Sequence, residues 1–299
     1  MAASSTPSSL PPLAAPPVGG LSIYRVPCLS DNYAWILVAE EGGQGGGGGG
    51  GGGASCATTV AVVDPAEAAP VAAALESLGL ARLDLIINTH HHGDHVGGNL
   101  ALKARYGARI VGPAADAARI PGLDTPVGDG DAWPLAGAAP SSAASLTVTT
   151  FDTPGHTRGH VCHWIPGAAA LFSGDTLFAL GCGRLFEGTP GQMHASLAKL
   201  KALPRETRVF CAHEYTAGNA AWASALYGGA NPALTARAGD VKAAREAGEA
   251  TVPSLLGDEL DTNPFLRADD PALKAAVGLP DSAGEVEVFA AVRQHKDKF

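Results

Sequence analysis

Residues 89–99 read Thr-His-His-His-Gly-Asp-His-Val-Gly-Gly-Asn, and inside them His90-x-His92-x-Asp94-His95 packs four good metal donors into six positions. Donors this close can serve two ions if alternate side chains point different ways. Upstream, Leu83–Asn88 (Leu-Asp-Leu-Ile-Ile-Asn) is a short apolar run that reads as a buried strand. The ligands therefore sit on the loop leaving a strand end, where chemistry commonly lives. A surface His cluster or an affinity tag would have neither the interleaved Asp94 nor the Gly97-Gly98 that follows.

Three further donors occupy the same topological place. His156 follows a strand ending at Phe151, in Thr-Pro-Gly-His-Thr; Asp175 follows a strand ending at Ser173, in Ser-Gly-Asp-Thr. His213 follows the strand Arg208–Cys211. Alone, each is a weak signal, because a His after a strand is usually a hydrogen-bonded structural residue. Together with the first motif they make seven, too many for one catalytic ion that keeps an open position. Two ions sharing a carboxylate divide them well: His90, His92 and His156 on one, Asp94, His95 and His213 on the other, Asp175 between. Imidazole and carboxylate without thiolate suit Zn, Fe or Mn, and Zn is the expected occupant.

The rest of the chain reads around this cluster. Strands are predicted at Leu21–Arg25, Tyr33–Glu40, Thr58–Val63, Ala108–Val111, Leu146–Phe151, Val161–Trp164, Ala169–Ser173 and Arg208–Cys211. Asp64-Pro65 should open a helix with body Ala66–Leu78 and Gly79 as its stop. Further helices are expected at Asn99–Tyr106 and Gln192–Ala202. Many short strands with helices at both edges imply stacked sheets sandwiched by helices. From Tyr215 on, Ala-rich stretches dotted with Glu and Lys replace the strands. This predicts a smaller helical domain over 215–299, whose last helix starts at a capping box, Ser282-x-x-Glu285. Arg293 and Lys296 would share one face of that helix.

Two segments are expected to carry no function: a disordered tail over 1–20 and a flexible Gly-rich loop over 42–53. The glycine run lacks the Lys-Ser/Thr of a phosphate-binding loop. A longer surface loop costs only about 0.6 kcal/mol per doubling of length, so the fold can carry it.

Composition narrows the function. With 20 Lys and Arg against 29 Asp and Glu, the formal net charge is −9, which argues against nucleic acid as a partner. Hydrophobic residues at 46% supply a core, and no apolar stretch is long enough for a membrane span. Five scattered cysteines, Cys28, Cys56, Cys162, Cys182 and Cys211, form no CxxC and read as free thiols in a reducing compartment. The tail is acid-poor like a transit peptide but lacks its Arg. We expect a cytoplasmic monomer, with import into a chloroplast or mitochondrion as the alternative.

At this point the chain resembles the metallo-β-lactamase superfamily and, within it, glyoxalase II (hydroxyacylglutathione hydrolase), over residues 21–299. The superfamily marks are the His90–His95 run, Gly155-His156-Thr157, Gly174-Asp175-Thr176 and His213. The narrower marks begin with Leu29-Ser30-Asp31-Asn32-Tyr33-Ala34-Trp35 and Gly181-Cys182-Gly183-Arg184. They continue with His213-Glu214-Tyr215-Thr216, Thr251-Val252-Pro253-Ser254, Thr262-Asn263-Pro264-Phe265-Leu266-Arg267 and Arg293-x-x-Lys296-Asp297-x-Phe299.

The resemblance implies an α+β fold: an αβ/βα four-layer sandwich over 21–214 with a C-terminal α-helical domain over 215–299 that binds substrate. It also implies the two-metal division given above. Its reaction is hydrolysis of S-D-lactoylglutathione to D-lactate and glutathione at a binuclear centre, in methylglyoxal detoxification. Asp94 and Asp175 would orient the attacking water, while Arg184, Tyr215, Arg293 and Lys296 would hold glutathione. Arg184 stands where the family often has Lys, and Phe186 where a Tyr hydroxyl often contributes. The alternative on the same fold is a persulfide dioxygenase using one iron.

His91, His160, His163 and His194 are read as structural or solvated, and Cys182 and Cys211 as packing thiols. Glu214 is read as a partner orienting a metal-bound His.

Overall fold

A computed structural model describes residues 13–40, 58–135 and 146–299. Strands β1 (Leu13–Val18), β2 (Leu21–Cys28), β3 (Asn32–Glu40) and β4 (Thr58–Val63) run antiparallel in sequence order. Helix α1 (Ala68–Ser77) then crosses to β5 (Leu85–Ile87). Helices α2 (Gly93–Val96) and α3 (Asn99–Tyr106) cross to β6 (Arg109–Pro113), beside which β7 (Thr125–Val127) closes the sheet. The pairings from β4 to β7 are parallel.

The second sheet begins with β8 (Ala132–Pro134), β9 (Thr147–Asp152), β10 (Val161–Ile165) and β11 (Ala170–Gly174). A hairpin of β12 (Leu177–Phe178) and β13 (Gly181–Cys182) follows, and helix α4 (Pro190–Lys201) leads to β14 (Arg208–Cys211). β14 lies parallel to β11, and β15 (Ser254–Leu255) completes the order β15-β14-β11-β10-β9-β8. The C-terminal helices are α5 (Thr216–Tyr227), α6 (Pro232–Glu246), α7 (Leu256–Thr262), α8 (Pro271–Ala276) and α9 (Glu285–Lys298).

Strand β3 shows why these layers stack. Its side chains alternate faces, and both faces are apolar. Tyr33, Trp35, Leu37 and Ala39 join Ile87, Phe172 and Phe210 in the core between the sheets. Ala34 and Ile36 join Val71 and Leu75 of α1 and Leu102 of α3 in an outer core. Trp35 meets Phe210 edge-on at 5.1 Å and donates its indole N–H to the Cys211 carbonyl at 3.1 Å. On the far side, Leu171 and Val209 pack with Met193 and Leu197 of α4, and with Trp222, Phe265 and Phe289 of the C-terminal helices. The result is helix, sheet, sheet, helix, an α+β sandwich of four layers. Each fully buried Leu or Phe stabilises it by roughly 1.5–3 kcal/mol relative to exposure.

Several local expectations are corrected. Of the tail predicted over 1–20, residues 1–12 lie outside the described residues, but Leu13–Val18 is a strand. It takes the sheet edge, where the missing N–H groups of Pro16 and Pro17 can be tolerated. The glycine run of 42–53 lies outside the described residues. Helix α1 starts at Ala68 after Glu67, not at Asp64-Pro65. Asp64 instead adopts φ +47, and its carboxylate turns toward the histidine loop. The capping box expected at Ser282 does not form; Gly284 precedes α9, and Glu285 pairs with His194 at 3.2 Å. A capping box does open α4, between Thr189 and Gln192.

Candidate metal centre and substrate cleft

All seven donors gather where strands end. β5 delivers His90 and His92, α2 carries Asp94 and His95, and the β9–β10 connection carries His156. β11 delivers Asp175 and β14 delivers His213. Gly174 makes the Asp175 turn possible: its φ is +48, and a Cβ there would lie 2.4 Å from Thr89 Oγ1.

The donors sort into three mutually close groups: His90, His92 and His156; His90, His95 and Asp175; Asp94, His95 and His213. His92 Nδ1 lies 3.1 Å from His90 Nε2 and 3.0 Å from His156 Nε2. Asp94 Oδ2 is 3.5 Å from the Nε2 atoms of both His95 and His213. Asp175 faces both ways. Its Oδ2 is 3.3 Å from His156 Nε2, and its Oδ1 is 3.4 Å from the Nε2 atoms of His95 and His213. Donors bonded at about 2.1 Å to one tetrahedral or octahedral cation lie about 3.0–3.4 Å apart, so these spacings fit a cation in each subsite. His95 Nε2 and Asp175 Oδ1 are also buried without a hydrogen-bond partner. A buried orphan costs free energy, and a cation would satisfy both.

Electrostatics favour the same reading. Burial and the neighbouring imidazoles hold His90 well below its ordinary pKa, and burial lowers His92 and His156 as well. Their ring nitrogens are therefore neutral donors. Burial opposes charge on Asp175 and Asp94 too, but His95 and the hydrogen bonds around them keep both below the usual carboxylate range. In return, despite burial, Asp175 raises His95 and His213. Asp175 thus favours positive charge beside its carboxylate, the charge a metal ion there would supply.

Outer partners fix the rings. His156 Nδ1 donates to the Arg184 carbonyl at 2.9 Å, and His213 Nδ1 pairs with Asp31 Oδ1 at 2.8 Å. Asp64 serves both subsites. Its Oδ2 accepts from Thr89 Oγ1 at 2.6 Å and lies 3.0 Å from His95 Nδ1. Thr89 Oγ1 in turn lies 3.1 Å from His90 Nδ1. Asn32 Nδ2 donates to Asp94 Oδ2 at 3.0 Å. None of Asp31, Asn32, Asp64 or Thr89 was identified from sequence as a partner that orients the donors. The one available signal was a polar residue, such as Asp31, Asp64 or Thr89, beside the end of an apolar strand.

Two of the histidines set aside turn away from the donors. His91 turns to Asp116 (2.9 Å) and Arg119, and His163 to the Asn88 carbonyl at 3.1 Å. Glu214 does not orient a metal-binding His: it accepts from Tyr33 Oη at 3.1 Å and Thr251 N at 3.0 Å, and Asp31 takes the place beside His213. Burial pushes the Cys182 and Cys211 thiols up to about 11 and about 12, so they remain unreactive packing groups.

Above the donors opens a cleft of about 600 Å³. His92, Asp94, His156, Asp175 and His213 contribute to its lining, with Phe178, Phe186 and Tyr215 as apolar walls. Arg184, Arg293 and Lys296 line it as well. Tyr215 stacks flat on His213 at 4.6 Å. Phe186 is 63% exposed, with its ring 5.2 Å from His156. Arg293 is buried and committed: it donates to the Cys182 carbonyl at 3.1 Å and grips Asp297 at 2.7 Å. Among the described residues, no carboxylate pairs with Arg184 or Lys296, so these two cations are open to an anionic ligand.

Residues 57–213 match the family model described as the metallo-beta-lactamase superfamily, and residues 214–299 the model described as hydroxyacylglutathione hydrolase C-terminus. The chain is 52% identical to a hydroxyacylglutathione hydrolase of Methylococcus capsulatus, over 93% of this chain and 99% of the relative. It is 47% identical to that of Rhodospirillum rubrum, with the same coverage of both chains. The crystal structure of ETHE1 from Myxococcus xanthus aligns with TM-score 0.56 at 21% identity, over 92% of this chain and 97% of that one. That likeness concerns the fold alone. No helix among the described residues is long and apolar enough to cross a membrane.

Proposed function

The chain belongs to the hydroxyacylglutathione hydrolase family, thioester hydrolases on the metallo-β-lactamase fold, and from that premise we propose a two-metal hydrolysis of S-(2-hydroxyacyl)glutathione. The reading rests on one observation above all: the two oxygens of Asp175 face separate groups of imidazoles on the floor of a cleft with open cations. His90, His92 and His156 would hold one ion and Asp94, His95 and His213 the other, with Asp175 shared. The nitrogen and oxygen donor set favours Zn and also accepts Fe or Mn. When bound, such ions supply a water acidified toward neutral pH and a Lewis acid for the thioester carbonyl.

The protein's own groups do the rest. Asp94, pinned by Asn32 and facing the cleft, accepts a hydrogen bond from the attacking water and aims its lone pair at the carbonyl carbon. Arg184 and Lys296 bind the carboxylates of the glutathione moiety, and the Tyr215 hydroxyl donates a hydrogen bond. Arg293, already gripping Asp297, braces the Cys182 end of the hairpin that leads to Arg184. The leaving thiolate needs no strong acid, because a thiol pKa near ~8.5 makes it a tolerable anion. The products are a 2-hydroxy acid and glutathione.

Burial, Arg293 and Arg184 together lower the Lys296 ammonium to about 8. Lys296 is charged below that pH and neutral above it, so KM should rise as pH climbs through about 8. Steady-state KM measured from pH 6.5 to 9.5 checks this, and the rise should flatten in Lys296→Arg, which stays charged. Asp64→Ala should weaken metal binding by roughly 10–100-fold, the usual consequence of removing an outer partner. Competition with a chromophoric chelator reads that loss directly.

The deciding assay offers metal-loaded protein S-D-lactoylglutathione and, separately, glutathione persulfide with oxygen. The proposed function requires loss of the thioester absorbance and no oxygen uptake. Oxygen consumption without thioester cleavage would overturn it.

A further inference from the structure

The His160 ring lies directly behind the donor cluster. It is fully buried and stacks on His90 with centroids 4.8 Å apart and planes 27° from parallel. Its Nε2 lies 3.1 Å from the backbone nitrogen of Asp175. A backbone N–H can only donate, so Nε2 must carry a lone pair. The ring hydrogen is therefore on Nδ1, which lies 3.0 Å from both Thr153 Oγ1 and Thr176 Oγ1. The tautomer is fixed by its partners on both sides.

The chain is also pressed against this ring. Gly174 turns with φ +48, and a Cβ there would come within 2.8 Å of His160 Nε2. Any larger residue would push the turn off the imidazole. The hydrogen bond thus locates the Asp175 backbone, and with it the carboxylate whose two oxygens face the two subsites.

We propose that His160 is a positioning residue: its Nε2 anchors the Asp175 backbone and its ring face supports His90, so that one buried side chain sets the alignment of both metal subsites. This rests on the reading of Asp175 as the shared ligand. An acceptor at this point that carries no negative charge suits the role, since a carboxylate behind the bridge would repel Asp175.

Two variants separate positioning from packing. His160→Phe keeps an aromatic ring of similar shape but offers no acceptor, leaving the Asp175 N–H unpaired. His160→Gln keeps an acceptor oxygen on a flexible stem of comparable reach. Metal content after dialysis, kcat and KM are measured for both and for the wild type, with the d–d spectrum of the cobalt-loaded protein. The Phe variant should lose about one of two ions and roughly 10–100-fold in kcat, with KM changed less than about threefold. The Gln variant should recover most of the metal and come within about threefold of wild-type kcat.

Wild-type metal content and kcat in the Phe variant would overturn the proposal. So would an equal loss in both variants, or failure of both to fold, which would assign the ring to packing. A wild-type chain that binds one ion would instead overturn the shared-ligand reading, and the proposal would fall with it.

Discussion

Asp175→Ala is expected to give a folded chain with kcat reduced on the order of a thousandfold or more, the scale seen when a principal electrostatic element of a site is removed. The carboxylate faces both subsites: Oδ2 lies beside His156, and Oδ1 beside His95 and His213. Removing the carboxylate also strips the anion that raises the pKa of His95 and His213. Those rings would then lose their pairing charge while remaining buried, so metal should be lost from both subsites together. Elemental analysis alongside single-turnover kinetics checks this; two retained ions with near-normal turnover would contradict it.

Asp94→Ala should abolish measurable turnover with less disturbance of the protein, a loss of roughly 10²–10³-fold in kcat at minimum. Asp94 touches one subsite only, through Oδ2 at 3.5 Å from His95 and His213, and its side chain is 36% exposed. Its removal opens no core cavity, so the thermal midpoint should stay close to wild type. The first-subsite ion, held by His90, His92 and His156, should remain. Comparing metal content between the Asp94 and Asp175 variants therefore distinguishes a ligand of one subsite from a shared one.

Much of this site was legible because the chemistry concentrates donors at strand ends. The alternation of apolar residues located the strands, and the His90–His95 run located the loop, so proximity followed from topology. The partners that orient the rings were not legible. Asp64 looked like a helix cap because Asp-Pro is a good helix start, yet the tertiary demand of Thr89 and His95 drew it to φ +47. Glu214 was expected to orient a metal-bound His, but it turns to Tyr33 and Thr251, and Asp31 from the β2–β3 turn takes the place beside His213. Ser282 and Glu285 matched a capping box in spacing alone, while Gly284 made the turn. Arg293, expected to help hold glutathione, does line the cleft, and it also grips Asp297 one helical turn on.

Anomalous diffraction from crystals of the metal-loaded protein decides whether the seven donors hold two ions. Two ions per chain are expected, one among His90, His92 and His156 and one among Asp94, His95 and His213, with one Asp175 oxygen on each. A single ion, with Asp94 and His213 turned away from it, would contradict that expectation.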